Sequence, residues 1–559
     1  MDWIQYYDVK VKMRDGVELS CDVRLPKSGG PFPAVLLRTP YNKNVHPESN
    51  RMDNITQYLD NGYAMVIMDV RGKYESDGVF PVLSFQQEGE DSADTVKWLA
   101  SQPWCNGKVA MTGASYCGYI QIHAALQRPG GLCAITPGVF GNDGFRNIVR
   151  RDGIPQMSLL IWALHNATGR IAKILLFDWQ KLLFALPLRK LVTTCGLRPK
   201  LFEHWMKHNR NNRLWSRMGR VEMMRELDTP VFLTGGWYDL YSSAVVETFC
   251  FLQSLPQLKG KVALMVGPWL HGLGAREAGI LDFGPAAEVD ITEENRRWID
   301  CWCRAGRPEK FPAVRYFVMG INEWREAGQW PPVATETEFL LLACDRAANS
   351  LDGDGRLDDR HGAGSQDQYV YDPANPVLNI GGNLLSFGEG MAAGPCDQQP
   401  MEKRPDMLVY TGEVLDKSLE IIGRPEVELF VSSDAVDTDF VVRLCDVYPD
   451  GRSINVSMGI VRTRYRNGLD REEMMTPGEI CKLTIPMDVT AICFLPGHRL
   501  RLEIASSCFP QFGRNHNTGG DNWSDAHHVK ATQTVYHSNE YPSRLLLPVN
   551  PDPSASEHF

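Results

Sequence analysis

The sequence has no excess of positive charge. Its 58 Lys and Arg residues stand against 68 Asp and Glu residues, which gives a formal net charge of −10. Binding to the phosphate backbone of a nucleic acid needs a basic surface, so the composition argues against a nucleic-acid partner. The overall charge does not restrict small-molecule substrates, because a pocket can differ in sign from the whole chain.

Long apolar runs are also missing. The most hydrophobic segment, 157–164, is far shorter than the ~20 residues that a membrane-spanning helix needs. The first residues, Met-Asp-Trp-Ile-Gln-Tyr, lack the basic start and apolar core of a signal peptide. We therefore expect a soluble protein without a membrane partner, located in the cytoplasm.

The cysteines are too sparse for a disulfide scaffold. There are 14 among 559 residues, and no Cys-x-x-Cys pair occurs among them. This spacing argues against a zinc site of that type and for a reducing compartment. Cys301 and Cys303 lie two residues apart in a helix-like stretch, where we expect both side chains only to pack in the core.

The first part of the chain alternates predicted strands with predicted helices. A chain of 559 residues exceeds the ~250–300 residues that one hydrophobic core supports, so two or three folded units are expected. Continuous apolar runs at 35–37, 64–68 and 109–112 are typical of strands buried on both faces of a parallel sheet. The segment 86–102 has an acidic start that favours a helix. Strand, helix and strand in this order indicate a βαβ unit.

Two changes of pattern divide the chain further. The strand pattern stops near residue 140, gives way to helix-like segments, and resumes at 231–234 and 262–266. After about residue 332, polar and apolar residues alternate, as in half-exposed antiparallel strands. We predict an α/β fold class with an α/β domain over 1–141 and 229–332, a helical cap insert over 142–228, and an all-β jelly roll or β-sandwich over 333–559.

The most informative stretch is the run from 109 to 118, where a predicted strand enters Gly113-x-Ser115-x-x-Gly118. A serine at a sharp strand-to-helix turn exposes its hydroxyl, and the helix start supplies an N–H group for an oxyanion. A side chain at position 113 would collide with the tight turn. The more common motif has glycine two residues after the serine, where this chain has Cys117. An ordinary turn with a helix-capping serine is therefore an alternative at this point.

A nucleophilic serine needs a histidine to take its proton and a carboxylate to orient the histidine. In α/β-hydrolases these groups follow in the order Ser, Asp or Glu, His, each after a strand. Asp239 follows the predicted strand 231–234, and His271 follows 262–266. We predict Ser115 as nucleophile, His271 as general base and Asp239 as the orienting acid. A helix cap for Asp239 and a surface position for His271 are the alternatives.

Three aromatic residues flank the predicted acid and base. Trp237 and Tyr238 precede Asp239, and Trp269 lies two residues before His271. We expect them to form the walls of a substrate pocket, with a purely structural role as the alternative.

Several short motifs resemble the cocaine esterase / X-prolyl dipeptidyl-peptidase family of α/β-hydrolases. They are spread over nearly the whole chain: Arg38-Thr39-Pro40-Tyr41, Asp69-Val70-Arg71-Gly72, the segment 104–109, the Ser115 turn, Gly236-Trp237-Tyr238-Asp239, Gly267-Pro268-Trp269-Leu270-His271, and the late segments 514–519 and 542–548. The resemblance implies a hydrolase domain with a helical insert and a C-terminal jelly roll. It also implies an oxyanion hole formed by the Tyr41 hydroxyl and the Tyr116 backbone N–H. Without the resemblance, a core aromatic at a strand end is the alternative for Tyr41.

These features predict a serine hydrolase that cleaves bulky acyl or aromatic esters through an acyl-enzyme, with no metal or organic cofactor. An amidase or peptidase, such as an Xaa-Pro dipeptidyl-peptidase or a β-lactam acylase, is the first alternative. A peptidase that reads free N-termini needs a carboxylate for the ammonium group. The insert has few acidic residues (Asp152, Asp178, Glu203, Glu222 and Glu226), which favours esters. A non-catalytic carbohydrate-binding protein is the second alternative, and formation of a homo-oligomer is left open.

Overall fold

A mixed sheet of ten strands organises the N-terminal part of the chain. The computed structural model describes residues 3–45, 54–80, 82–167, 182–194, 200–304, 311–332, 336–386 and 391–551. The strands are β1 (Trp3–Lys12), β2 (Glu18–Pro26), β3 (Phe32–Thr39), β4 (Ala64–Asp69), β5 (Cys105–Ala114), β6 (Leu132–Gly138), β7 (Arg150–Arg151), β8 (Ile154–Pro155), β9 (Val231–Gly236), β10 (Val262–Gly267), β11 (Glu277–Ala278), β12 (Leu281–Asp282), β13 (Val314–Val318), β14 (Glu323–Ala327), β15 (Glu336–Ala343), β16 (Arg356–Asp358), β17 (Gln366–Tyr371), β18 (Leu408–Thr411), β19 (Leu419–Gly423), β20 (Glu426–Ser433), β21 (Asp439–Val447), β22 (Ser453–Arg462), β23 (Cys481–Pro486), β24 (Thr490–Phe494), β25 (Arg499–Ala505), β26 (Ala531–Tyr536) and β27 (Arg544–Val549).

Most helices lie on or beside this sheet. They are α1 (Ile55–Asp60), α2 (Phe85–Ala100), α3 (Tyr116–Leu126), α4 (Met157–Ala167), α5 (Arg189–Thr194), α6 (Lys200–Lys207), α7 (Arg213–Ser216), α8 (Ser242–Gln253), α9 (Ile291–Cys303) and α10 (Gln399–Glu402). A π-helical turn covers Gly144–Ile148, and short 3₁₀ turns cover Val221–Glu226, Pro256–Leu258, Pro285–Ala287 and Thr463–Tyr465.

The ten strands follow the order β1-β2-β4-β3-β5-β6-β9-β10-β13-β14. The neighbours from β4 to β13 all pair in parallel, whereas β1, β2 and β14 pair antiparallel at the two edges. The strands predicted at 35–37, 64–68, 109–112, 231–234 and 262–266 lie in β3, β4, β5, β9 and β10 and are confirmed. Their apolar residues are buried, because helices cover both faces of the sheet. The helix predicted at 86–102 is α2, displaced by one residue at its start.

The chain between β6 and β9 leaves the sheet. It forms the π-helical turn, the β7–β8 hairpin and the helices α4 to α7, so the predicted insertion of helices into the sheet domain is confirmed for the described residues. Residues 168–181 and 195–199, with Asp178 among them, lie outside the described residues.

The C-terminal part is rich in β-structure. Its 13 strands, β15 to β27, join in one sheet that is antiparallel except for the β16–β18 pair. The strands predicted at 426–431 and 499–504 lie in β20 and β25 and are confirmed. The two parts pack against each other, and backbone bonds join Met319 to Ala491 and to Cys493 at their boundary.

One disulfide corrects an expectation about the cysteines. Cys133 on β6 is bonded to Cys303 at the end of α9, with 5.8 Å between their Cα atoms, so Cys303 does more than pack. Cys301 is buried and its thiol donates to the Arg297 carbonyl at 3.2 Å, as expected for a packing residue. The disulfide weakens the argument for a reducing compartment, where such bonds are rare. No helix in the described part of the chain combines the length and the apolarity that a membrane crossing requires.

Candidate active site

Ser115 occupies the turn between β5 and α3. Its backbone has φ 60° and ψ −124°, a strained conformation for a residue with a side chain. The Ser115 N–H donates to Gly138 O at 2.9 Å, and the Tyr119 N–H donates to Ser115 O at 2.9 Å, so both neighbouring elements hold the turn. The structure therefore stores backbone strain at the predicted nucleophile.

The two glycines of the motif are explained by close packing around this turn. A Cβ atom on Gly113 would lie 2.7 Å from the side chains of Cys117 and Leu37. A Cβ atom on Gly118 would lie 2.7 Å from Gly138 O, so this glycine lets α3 approach the end of β6. The spacing Gly-x-Ser-x-x-Gly therefore follows from the contact of α3 with the neighbouring strand.

Asp239 and His271 meet after the adjacent strands β9 and β10. The distance between Asp239 Oδ2 and His271 Nδ1 is 2.5 Å. Asp239 is fully buried, and its Oδ1 accepts from the Tyr241 N–H at 2.8 Å, which fixes the carboxylate. A carboxylate at Nδ1 favours the tautomer that carries its proton there, so Nε2 is left as an acceptor. The imidazole stays 17% exposed.

Ser115 and His271 line the same cavity. It contains about 420 Å³ of unoccupied space, part of it open to solvent, and its walls come from the two domains and the insert. The described lining residues are Leu83, Phe85, Ser115, Tyr116, Tyr119, Gly141, Ile148, Leu159, Trp162, Leu240, Tyr241, His271 and Leu385. Apart from the hydroxyl groups and the imidazole, these side chains are apolar, and none of them is an acid, a lysine or an arginine.

Tyr41 lies close to Ser115, just after β3. Its hydroxyl accepts a hydrogen bond from Trp162 Nε1 at 3.1 Å and makes a second one with the Ser115 side chain. Loss of solvent around the phenol raises the pKa of Tyr41, so the hydroxyl keeps its proton and can act as a donor. Trp162 occupies an acceptor position of the oxygen, which leaves the proton for another partner.

Tyr116 is the first residue of α3. The first N–H groups of a helix have no acceptor within the helix, so the Tyr116 N–H is available beside the Ser115 oxygen. The structure thus brings together Ser115, His271, Asp239 and both predicted oxyanion donors, Tyr41 and Tyr116, at one end of the parallel strands.

Comparison with known proteins agrees with this geometry. A model of the X-Pro dipeptidyl-peptidase (S15) family matches residues 15–273, and a model of the X-Pro dipeptidyl-peptidase C-terminal non-catalytic domain matches 307–546. A cocaine esterase from Rhodococcus sp. is 36% identical over 570 residues, which cover 97% of this chain and 98% of the relative. The chain belongs to the cocaine esterase / X-Pro dipeptidyl-peptidase family. The resemblance inferred from the motifs is confirmed.

Two solved structures of similar proteins cover the whole architecture. An α-amino acid ester hydrolase superposes with a TM-score of 0.88 at 25% identity, over 98% of this chain and 97% of that one. An aminopeptidase from a marine sediment Thaumarchaeota archaeon superposes with a TM-score of 0.86 at 26% identity, with the same coverage. The predicted fold class, an α/β-hydrolase domain followed by a β-rich domain, is confirmed. The predicted enzyme class, a serine hydrolase acting on ester or amide bonds, is confirmed too. The alternative of a non-catalytic carbohydrate-binding protein is wrong.

The expected aromatic walls are corrected by the structure. Trp237, Tyr238 and Trp269 are each only 1% exposed and are absent from the described cavity lining. Their polar atoms donate to backbone carbonyls in the interior: Trp237 to Phe317 O at 2.7 Å, Tyr238 to Asn455 O at 3.3 Å and Trp269 to Ala287 O at 2.8 Å. These side chains brace the loops that carry the predicted acid and base, as buried Trp and Tyr with a bonded polar atom commonly do.

The aromatic wall of this family member comes from other elements. Phe85 belongs to α2, Tyr119 to α3 and Trp162 to α4 in the insert. The sequence signal that could have identified Trp162 is its position in the most apolar segment of the insert. Leu385, which belongs to the C-terminal part, could not have been assigned from sequence spacing.

The C-terminal part also forms hydrogen bonds to the loop that carries Asp239. The Asn383 side-chain amide donates to Trp237 O at 2.9 Å and to Asp239 O at 3.2 Å. Gln511 in turn donates to Asn383 O at 2.9 Å. The β-rich domain therefore contributes to the geometry of the site as well as to its wall.

Groups of side chains that could hold a metal lie elsewhere. Among the described residues, two such groups bring three ligand atoms within 4.8 Å: Cys344 with Asp367 and His537, and Glu402 with Cys445 and Glu503. Both are buried in the β-rich part, and neither contains a residue that lines the cavity.

Proposed function

We propose that this protein is a carboxylesterase in which Ser115, His271 and Asp239 form the catalytic triad. His271 Nε2 takes the proton from Ser115 Oγ while the oxygen bonds to the ester carbonyl carbon. The tetrahedral oxyanion receives hydrogen bonds from the Tyr41 hydroxyl and the Tyr116 N–H. His271 then returns the proton to the leaving alcohol, and water attacks the acyl-enzyme by the same route to release the carboxylic acid.

The preference for esters rests on the kinds of side chain that line the cavity. Among the described lining residues there is no carboxylate to bind the ammonium group of a free N-terminus. Dipeptidyl-peptidases that read such an N-terminus need that partner, because an unpaired ammonium in an apolar pocket is costly. An aromatic or bulky aliphatic acyl group instead fits a wall of Leu, Phe and Trp side chains. The names of several relatives, a cocaine esterase and putative serine esterases, support an ester substrate.

A panel of substrates tests the preference for esters over peptides. We expect p-nitrophenyl butyrate and benzoate to be cleaved with kcat/KM at least about a hundredfold above that of Gly-Pro and Ala-Pro p-nitroanilides, since the wall offers the ammonium group no partner. N-acetylated anilides serve as the control for the charge. Faster cleavage of the free dipeptide anilides than of the esters would reverse the assignment and support a peptidase.

Tyr41→Phe tests the oxyanion hole. We expect kcat for p-nitrophenyl butyrate to fall about 10²- to 10³-fold with KM changed by less than about threefold, because the phenol donates to charge that develops after binding. Tyr369→Phe is a matched control: its buried hydroxyl is hydrogen-bonded to the Ser506 hydroxyl at 2.9 Å in the β-rich part. A fall in kcat of less than threefold in Tyr41→Phe would remove the phenol from the mechanism.

We also propose the following domain organisation and substrate class. The α/β-hydrolase domain covers 1–141 and 229–332, the cap insert covers 142–228, and a jelly roll covers 333–559. The substrate is a small-molecule ester. A cytoplasmic location stays a prediction that the Cys133–Cys303 disulfide weakens, and the homo-oligomer likewise stays a prediction.

A further inference from the structure

Tyr116 lines the cavity, and its hydroxyl reaches into a buried ionic cluster. Its hydroxyl donates to Glu88 Oε1 at 2.7 Å. Glu88 Oε2 accepts from Arg38 at 2.9 Å, and Arg38 also donates to the Ser92 hydroxyl at 2.6 Å. Arg38, Glu88 and Tyr116 are 1%, 0% and 5% exposed. Burying such charged groups costs free energy. None of these side chains takes part in the proton transfers of the proposed mechanism.

The cluster depends on unusually close packing of α2 against α3. A Cβ atom on Gly89, next to Glu88, would lie 2.7 Å from the His123 carbonyl oxygen of α3. The missing side chain lets α2 lie near enough to α3 for the Glu88 carboxylate to meet the Tyr116 hydroxyl. Burial and the nearby carboxylate raise the pKa of Tyr116 well above its usual value, so the hydroxyl stays protonated and donates. Burial raises the pKa of Glu88, and the Arg38 guanidinium opposes that rise.

The hydrogen bond between the Tyr116 hydroxyl and Glu88 bears on the reaction because of where Tyr116 lies in the chain. Its backbone N–H belongs to the peptide that follows the strained Ser115, whose φ is 60°. Strained backbone persists only where the surroundings over-determine it. A hydrogen bond that fixes the Tyr116 side chain also limits rotation of the peptide that carries this N–H.

We propose that Glu88 is a positioning residue, which holds the Tyr116 N–H in the direction of the oxyanion through its hydrogen bond to the Tyr116 hydroxyl. The proposal rests on the proposed function, in which that N–H is an oxyanion donor. Arg38 connects the same buried cluster to β3. It lies at the end of β3, three residues before Tyr41, so one buried carboxylate contacts both segments that carry the two donors.

Two single variants and their combination test the proposal. We expect Tyr116→Phe and Glu88→Gln each to lower kcat for p-nitrophenyl butyrate about tenfold, a part of the 10²- to 10³-fold that a whole donor contributes, with KM within about twofold. Glu88 acts through Tyr116, so the double variant should lose about tenfold in all rather than about a hundredfold. The inhibition constant of an arylboronic acid, whose adduct with the serine places an oxygen in the oxyanion hole, should rise by the same factor.

Tyr410→Phe is the matched control. Its buried hydroxyl donates to the Asp367 carboxylate at 2.8 Å in the β-rich part, so it loses the same type of bond away from the cavity. We expect kcat and boronic acid inhibition of Tyr410→Phe to equal those of the wild type. If Glu88→Gln does not fold, Tyr116→Phe decides by itself, since it removes a single hydroxyl and leaves the Arg38–Glu88 pair in place.

The possible results distinguish the positioning role of Glu88 from the proposed esterase function. Wild-type enzyme that does not react with a fluorophosphonate contradicts the proposed function. Wild-type enzyme that reacts and hydrolyses esters, together with a Tyr116→Phe variant of unchanged kcat and unchanged boronic acid inhibition, overturns the positioning role alone. Multiplicative losses in the double variant would overturn it as well, because they would make Glu88 act independently of Tyr116.

Discussion

Replacing Ser115 with alanine is expected to lower kcat for ester hydrolysis about a million-fold, to a level set by binding and the oxyanion hole alone. The reason is the loss of the oxygen that forms the acyl-enzyme, which no neighbouring side chain can replace. The nearest thiol in sequence belongs to Cys117, which is buried at 1% exposure. The rate is measured with p-nitrophenyl butyrate after subtraction of the uncatalysed hydrolysis.

Ser432→Ala provides the control for this substitution. Its hydroxyl is hydrogen-bonded to the Tyr536 hydroxyl at 3.0 Å in the C-terminal part, and Ser432 is not among the described residues that line the cavity, so its removal should leave kcat unchanged. A Ser115→Ala variant that retained more than about one per cent of the wild-type kcat would contradict the assignment of the nucleophile.

Replacing Asp239 with asparagine is expected to lower kcat about ten-thousand-fold, while the free energy of unfolding changes by less than about 1 kcal/mol. In the wild type, the carboxylate at 2.5 Å from Nδ1 keeps the histidine proton on that nitrogen. An asparagine amide can present its N–H₂ group instead, which favours the tautomer with the proton on Nε2. His271 could then no longer accept the serine proton. Steady-state kinetics and thermal unfolding of the same preparation provide both quantities.

A second carboxylate–imidazole pair serves as the control for Asp239→Asn. Asp446 Oδ1 lies 2.8 Å from His498 Nδ1 in the β-rich part, and both residues are buried. Asp446→Asn should change stability without lowering kcat. A loss of less than tenfold in Asp239→Asn would show that another residue orients His271.

The parallel core of the sheet could be predicted because its strands are buried on both faces. The runs in β3, β4, β5, β9 and β10 are continuous and apolar, and each ends at a glycine, a charge or a turn. Chain order and position at strand ends were then enough to select Asp239 and His271, which the structure brings together at 2.5 Å. Local sequence patterns were sufficient for this part of the prediction, because the carboxyl ends of parallel strands lie at the same edge of the sheet.

The wall of the cavity could not be predicted in the same way. Trp237 and Trp269 lie two residues before the predicted acid and base, but their side chains are buried and donate to interior carbonyls. The observed wall combines residues of α2, α3 and the insert with Leu385, and only the packed arrangement of these elements defines it. The Cys133–Cys303 bond, across a separation of 170 residues, has no local signal either.

In the proposed mechanism, Ser115 is the residue that attacks the substrate. The measurement is mass spectrometry of peptides from the wild-type protein after reaction with a fluorophosphonate, which phosphonylates activated serines. We expect one adduct per chain, located on Ser115, with ester hydrolysis lost in proportion to the labelled fraction. An adduct on a different residue would contradict this assignment. Full esterase activity in protein that does not react with the fluorophosphonate would contradict it as well.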